Sequence, residues 1–134
     1  MSNTTRWILG LVALLITGGL APAYGVTLVN DGTARAVIVI ADASSPAAKR
    51  AAVVLQAHIR QISGATLTIQ AEHDLKTGAT KQQPLILVGE GKLAKDLGFS
   101  TAGQGPGGFY IEAKENVLAL IHQPAQIAER GVVE

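Results

Sequence analysis

The chain has 134 residues, 48% hydrophobic, 16% charged and 4% aromatic, a length that suits one domain. Fifteen glycines and five prolines, scattered, exclude a collagen-like or low-complexity chain, and the absence of cysteine excludes disulfides and thiolate zinc sites. Eleven basic residues against ten acidic ones leave a formal charge of only +1, no electrostatic case for binding nucleic acid or an anionic membrane.

The first 23 residues differ in character from the rest. Arg6 supplies one positive charge, Trp7 to Ile16 is apolar apart from Gly10, and Ala21-Pro22-Ala23 follows. A charged start, a short apolar run and an A-x-A site predict a secretory signal peptide cleaved after Ala23. The apolar run falls well short of the roughly 20 residues that a membrane anchor requires. The expected product is an exported domain of residues 24–134, periplasmic or extracellular, with no stable membrane anchor. Arg6 leaves with the leader, so the domain is formally neutral.

Val26-Thr27-Leu28-Val29 predicts a first strand, closed by the turn signal Asn30-Asp31-Gly32. Ala36-Val37-Ile38-Val39-Ile40-Ala41 is an unbroken apolar run, as expected of a strand covered on both faces. Ser45 caps a helix that starts at Pro46, runs to about Ser63 and stops at Gly64. Ala48, Ala51, Ala52, Leu55, Ile59 and Ile62 give it one apolar face. Thr66 to Gln70 alternates like a half-buried strand, and residues 72–83 read as an exposed loop.

Pro84-Leu85-Ile86-Leu87-Val88 is a second buried strand, ended by Gly89. Residues 92–97 predict a short helix that Gly98 terminates, and the glycine-rich stretch 103–108 a loop. Residues 109–113 and 117–121 predict two strands joined at Lys114-Glu115-Asn116, and residues 124–134 predict the start of a helix. The expected fold is α/β: a mixed sheet of five or six strands with one long helix packed on it, a two-layer sandwich.

No catalytic, cofactor-binding or metal residue is selected by pattern. His58 sits at the edge of the apolar helix face, where a partly buried boundary histidine is expected. His73 beside Asp74 reads as a solvated pair, and His122 ends a strand without an evident partner. A metal site needs several convergent ligands, which this spacing does not supply. Val88-Gly89-Glu90-Gly91-Lys92 resembles a phosphate-cradling turn, but Leu93 stands where the loop needs a hydroxyl and the four-residue spacer is missing. Ser44, Ser45, Ser63 and Ser100 lie outside any nucleophile elbow. Glu72, Asp74, Glu90, Asp96, Glu112 and Glu115 fall in loops, turns or strand ends, and nothing pairs two of them for glycoside hydrolysis. Of the adjacent aromatics Phe109 and Tyr110, alternation sends one to the core.

The run Ala51-Ala52-x-x-Leu55-Gln56-x-x-Ile59-x-x-Ile62-Ser63-Gly64-x-x-Leu67-x-Ile69 resembles a helix-and-strand signature of the N-terminal domain of family 67 α-glucuronidases. That domain is shared by related secreted bacterial glycoside hydrolases and is similar to the non-catalytic domain ahead of the barrel in β-hexosaminidases. Ile86-x-Val88-Gly89, Gly108-Phe109-x-Ile111, the Asn116 turn and Arg130-Gly131 continue the resemblance from Val26 to Gly131. It departs at Pro124-Ala125, where the family usually has a glycine, and at Val132-Val133-Glu134, where it usually shows a tyrosine.

The resemblance implies an accessory domain in xylan breakdown. Removal of 4-O-methylglucuronic acid would belong to a (β/α)₈ barrel of about 250 residues, which would lie outside this chain. It implies no catalytic residue and no cofactor here, and as partners a downstream or separate barrel or the polysaccharide itself. The alternative is a free-standing carbohydrate-binding or interaction module of the cell envelope.

Overall fold

The computed structural model describes residues 25–122. The predicted leader with its cleavage point after Ala23, and the helix expected over residues 124–134, lie outside the described residues.

The first elements of the described residues form a small hairpin. Strands β1 (Val29–Asn30) and β2 (Thr33–Ala34) pair antiparallel across Asp31 and Gly32, both at positive φ (47° and 72°). Positive φ at both central residues is what a tight hairpin requires, and Asp-Gly supplies it. The first strand therefore begins at Val29, not Val26. The Leu28 carbonyl is drawn aside to accept from the N–H groups of both Arg35 and Ala36, at 3.0 and 3.1 Å.

Strand β3 (Val37–Ile40) leads into helix α1 (Pro46–Ser63). The Ala48 N–H donates to Ser45 Oγ at 3.1 Å, Pro46 stands at the first turn, and Gly64 closes the helix at φ 74°. These are the expected caps. Inward, α1 presents Ala48, Ala52, Leu55, Gln56, Ile59 and Ser63, of which Ala52 is fully buried. Ala51 and Ile62, expected on that face, are exposed, Ile62 at 86%. At about 100° per residue both lie a quarter turn or so from the centre of the buried stripe. His58 lies further round still and is exposed, not partly buried; its Nδ1 sits 2.8 Å from the Val54 carbonyl.

Strand β4 (Thr68–Ala71) returns parallel to β3, followed by a 3₁₀ turn (Glu72–Asp74) and helix α2 (Ala79–Gln82). The exposed loop expected over 72–83 is thus a structured segment: Leu75 packs on the core and Ala79 is buried. A four-residue helix is too short to show a periodicity, and Gly78 starts it at φ 77°. Strand β5 (Leu85–Val88) is buried throughout, and helix α3 (Lys92–Asp96) follows it. Strands β6 (Phe109–Lys114) and β7 (Val117–His122) form an antiparallel hairpin.

The five-stranded sheet runs β4-β3-β5-β7-β6, parallel except for β6. This is the expected mixed sheet with the long helix packed on it. Alternation divides the strands between two cores. Ile38, Leu67, Ile86 and Val88 face α1 with Ala52. Val37, Val39, Leu85, Leu87, Val117, Ala119 and Ile121 face the other way, onto Ala79 of α2, Ala94 of α3 and Phe99. Among the described residues no helix is long and apolar enough to cross a membrane.

Because β5 is packed on both sides, Ile86→Ala is expected to lower the unfolding free energy by about 2–5 kcal/mol. Ser45→Ala, which removes only a cap, should lower it by about 1 kcal/mol. Urea unfolding of the two variants measures both and fixes their order.

Candidate functional site

Parallel strands bring the segments that follow them to one edge of the sheet. Asp42 follows β3, Glu72 and His73 follow β4, and Gly89 to Lys92 follow β5. The chain leaves β3 toward β4 on one side and β5 toward β7 on the other. The carboxyl ends on either side of such a reversal are where open α/β sheets place their ligands. A cleft of about 550 Å³ lies here, bounded by Asp42, Glu72, His73, Leu75, Lys92 and Asp96.

The polar walls are tied to one another. Ser44 folds back on the Ala41 carbonyl through its backbone N–H and its hydroxyl, a turn that projects Asp42 toward β4. Asp42 Oδ1 accepts from the His73 backbone N–H at 3.0 Å and faces its Nδ1 at 2.8 Å. The other ring nitrogen, Nε2, lies 3.2 Å from Asp74 Oδ1. A neutral imidazole carries one N–H and can serve only one of these carboxylates; the imidazolium serves both. Hydrogen bonding to Asp42, then the charges of Asp74 and Asp42, raise His73 above its ordinary 6.5. Hydrogen bonds from the ring and backbone of His73 lower Asp42 below its ordinary 3.8.

Glu72 is engaged differently. Its carboxylate accepts the backbone N–H groups of Lys92 and Leu93, each at 3.1 Å, and so closes the first turn of α3. Gly91 makes room for it: a Cβ there would lie 2.0 Å from Glu72 Oε1 and 2.9 Å from the Ala41 methyl. Gly89 is needed for another reason, its φ of 87°. The Gly89-Glu90-Gly91-Lys92 turn, which falls short of a phosphate loop in sequence, does converge two N–H donors. They are taken by the chain's own carboxylate. Lys92 pairs with Asp96 at 2.5 Å one turn on, which raises the lysine above its ordinary 10.5, and Lys95 lies 3.8 Å from Glu90.

The three histidines are dispersed. His58 lies outward on α1, His73 at the cleft, and His122 against the Phe109 ring, with centroids 5.1 Å apart. Among the described residues no group of three or more His, Asp and Glu is disposed to hold a metal ion. Ser45 and Ser63 serve the ends of α1, and Ser100 Oγ accepts from the Ala102 N–H. Tyr110 packs edge-on against buried Phe99 at 6.4 Å, while Phe109 stands exposed. Of the six carboxylates in loops, turns and strand ends, Glu72, Asp74 and Asp96 gather at or beside the cleft. Glu90 turns to Lys95, and Glu112 and Glu115 lie exposed on the β6–β7 hairpin.

Sequence pattern does not single out Asp42. It is 31 residues from His73, a separation no local pattern registers; its place just after a buried strand was the only available signal. No protein-family model and no curated protein matches the chain.

Removing the Glu72 carboxylate should free two backbone donors of α3. Glu72→Ala is therefore expected to destabilise the fold by about 1–3 kcal/mol, measured by urea unfolding. The His73 clasp has a pH signature. Its raised histidine contributes fully below 6.5 and loses that contribution as pH climbs through the higher folded value. Asp42 contributes above 3.8 and loses it as pH falls through its lower folded value. An NMR titration should find His73 above 6.5, and Asp42→Asn should bring it down; an unmoved midpoint means the ring is not held as described.

Proposed function

We propose that the chain is an exported, non-catalytic accessory domain of an α-glucuronidase-like glycoside hydrolase acting on xylan, periplasmic or extracellular, with the catalytic barrel outside these 134 residues. The observation that supports it most is how the polar groups of the cleft are used. Glu72 holds the start of α3, Asp42 and Asp74 hold His73, and Asp96 holds Lys92. A hydrolase needs one acid to protonate the leaving group and another opposite it across about 5–10 Å, both available to substrate. Here the carboxylates bind one another's neighbours and brace three connecting segments. That is scaffold chemistry.

A free-standing carbohydrate-binding module is the second reading, and the size of the cleft favours it. Its lining weakens it: Leu75, Ala79, Leu85 and Leu93 provide the apolar surface, and among the described residues no Phe, Tyr or Trp lines it for a sugar to stack on.

Three measurements on the purified protein separate these readings. An accessory domain should release no 4-O-methylglucuronic acid from aldouronic acids and give no binding heat with xylo-oligosaccharides. It should co-purify with the product of the adjoining reading frame if that product carries a barrel. Saturable heat would favour the binding module; sugar release would overturn both readings.

A further inference from the structure

The two edges of the five-stranded sheet differ. At one, β4 is four residues long and mostly half-buried, and Gln56, on the flank of α1 turned toward it, donates through Nε2 to the Leu67 carbonyl at 2.6 Å. At the other, β6 is six residues long, contains no proline and pairs with β7 without a bulge. Every residue of β6 except half-buried Tyr110 is exposed, Phe109 at 74% and Ile111 at 71%. Edge strands are ordinarily short, bulged, interrupted by proline or covered, because a bare edge is a template for another chain. The hydrogen bonds of β7 show which backbone groups of β6 are left over. The carbonyls of Asn116, just before β7, and of Leu120 accept from the N–H groups of Leu85 and Gly89, each at 2.9 Å. Even-numbered positions there serve β5, so Val117, Ala119 and Ile121 serve β6, and the register gives them Lys114, Glu112 and Tyr110. Phe109, Ile111 and Ala113 therefore aim their N–H and C=O groups outward, and no backbone group of the described residues pairs with them.

We propose that this edge pairs antiparallel with β6 of a second copy of the chain, about a two-fold axis at Ile111, and so doubles the sheet. The edge is complementary to itself. Rotation about Ile111 sets the outward groups of Phe109 opposite those of the second copy's Ala113, and Ile111 opposite Ile111 of the second copy, so all of them find partners. On one face a large ring meets a methyl group and two β-branched side chains meet each other. On the other, Tyr110 stands opposite the second copy's Glu112, and no charge is set directly against its like. The charges of β6, Glu112 and Lys114, are one of each sign, so the strand does not repel its own copy. An axis at Glu112 sets that carboxylate against itself, which disfavours the neighbouring register. A contact one strand wide falls short of the roughly 800 Å² per partner of a standard interface, so this dimer dissociates on dilution.

Sedimentation equilibrium of the full chain is expected to show a monomer–dimer equilibrium. Ile111→Lys, an exposed change that sets two ammonium groups against each other at the axis, should weaken self-association at least about fivefold. Ile111→Glu should do the same alone, and an equimolar mixture of the two variants should associate again, which also shows that both are folded. The chain has no cysteine, so single cysteines report the register. Paired Ile111 residues bring their Cα atoms to about 5.5 Å, inside the limit of about 7 Å for a disulfide, and oxidised Ile111→Cys should form a covalent dimer. Two Ala113 residues lie about 14 Å apart in this register, so Ala113→Cys should not link to itself but should link to Phe109→Cys when the two are mixed. A chain that stays monomeric at millimolar concentration overturns the proposal, whether its edge is bare or taken by a strand of another kind. So does association that Ile111→Lys leaves unchanged, or Ala113→Cys linking to itself as readily as Ile111→Cys.

Discussion

Two strands with no polar side constrain everything else. β3 (Val37-Ile38-Val39-Ile40) and β5 (Leu85-Ile86-Leu87-Val88) lie next to each other at the centre of the sheet, and their side chains alternate onto opposite faces. A strand that is apolar on both faces must be covered on both. Helix α1 satisfies one side; the segment from Leu75 to Ala79, helix α3 and Phe99 satisfy the other. Parallel neighbours cannot be joined by a tight turn, so each strand is followed by a crossover that begins at the same edge. Three connecting segments are therefore crowded at the carboxyl ends of β3, β4 and β5, and the cleft is the space they leave.

Crowding decides what the polar residues there can do. Segments that meet at one edge carry backbone donors with no partner in a regular element, and those donors must be satisfied. Glu72 satisfies two of them in α3 from 20 and 21 residues away, and the missing side chain of Gly91 admits its carboxylate. Asp42 receives the His73 N–H and the ring behind it. Each carboxylate spans two segments that the sheet alone does not tie together. Acids placed where a ligand would bind are in this chain the fastenings of the site's own walls.

The sequence discloses these features unequally, and the difference is one of range. The caps of α1 are local, and Ser45, Pro46 and Gly64 mark its ends within a residue. β5 declares itself because four consecutive apolar residues bounded by Pro84 and Gly89 have few other uses. α2 does not, since four residues complete barely one turn, and Leu75 and Ala79 look like isolated apolar residues in a polar stretch. The clasp between Asp42 and His73 is invisible for a stronger reason. It depends on β3 and β4 being parallel neighbours, with Ile40 opposite Ala71, and no spacing along the chain encodes that register. The two N–H groups after Gly91 show the same limit: the turn is legible, its occupant is not.

The misplaced residues of α1 carry information of their own. Spacing assigns six apolar positions to one face, yet Ala51 and Ile62 turn away from the buried stripe. Apolar periodicity records that a side chain is apolar and at which angle it stands, not which neighbour covers it. A stripe that served the sheet alone would be narrower, with polar residues on both flanks. Neither flank is uniform: Lys49 and Arg60 stand on the β4 flank with exposed Val53, and His58 stands on the β7 flank with Ala51, Leu55 and Ile62. The buried stripe of α1 is narrower than its apolar spacing, and burial, not spacing, marks the residues that meet the sheet.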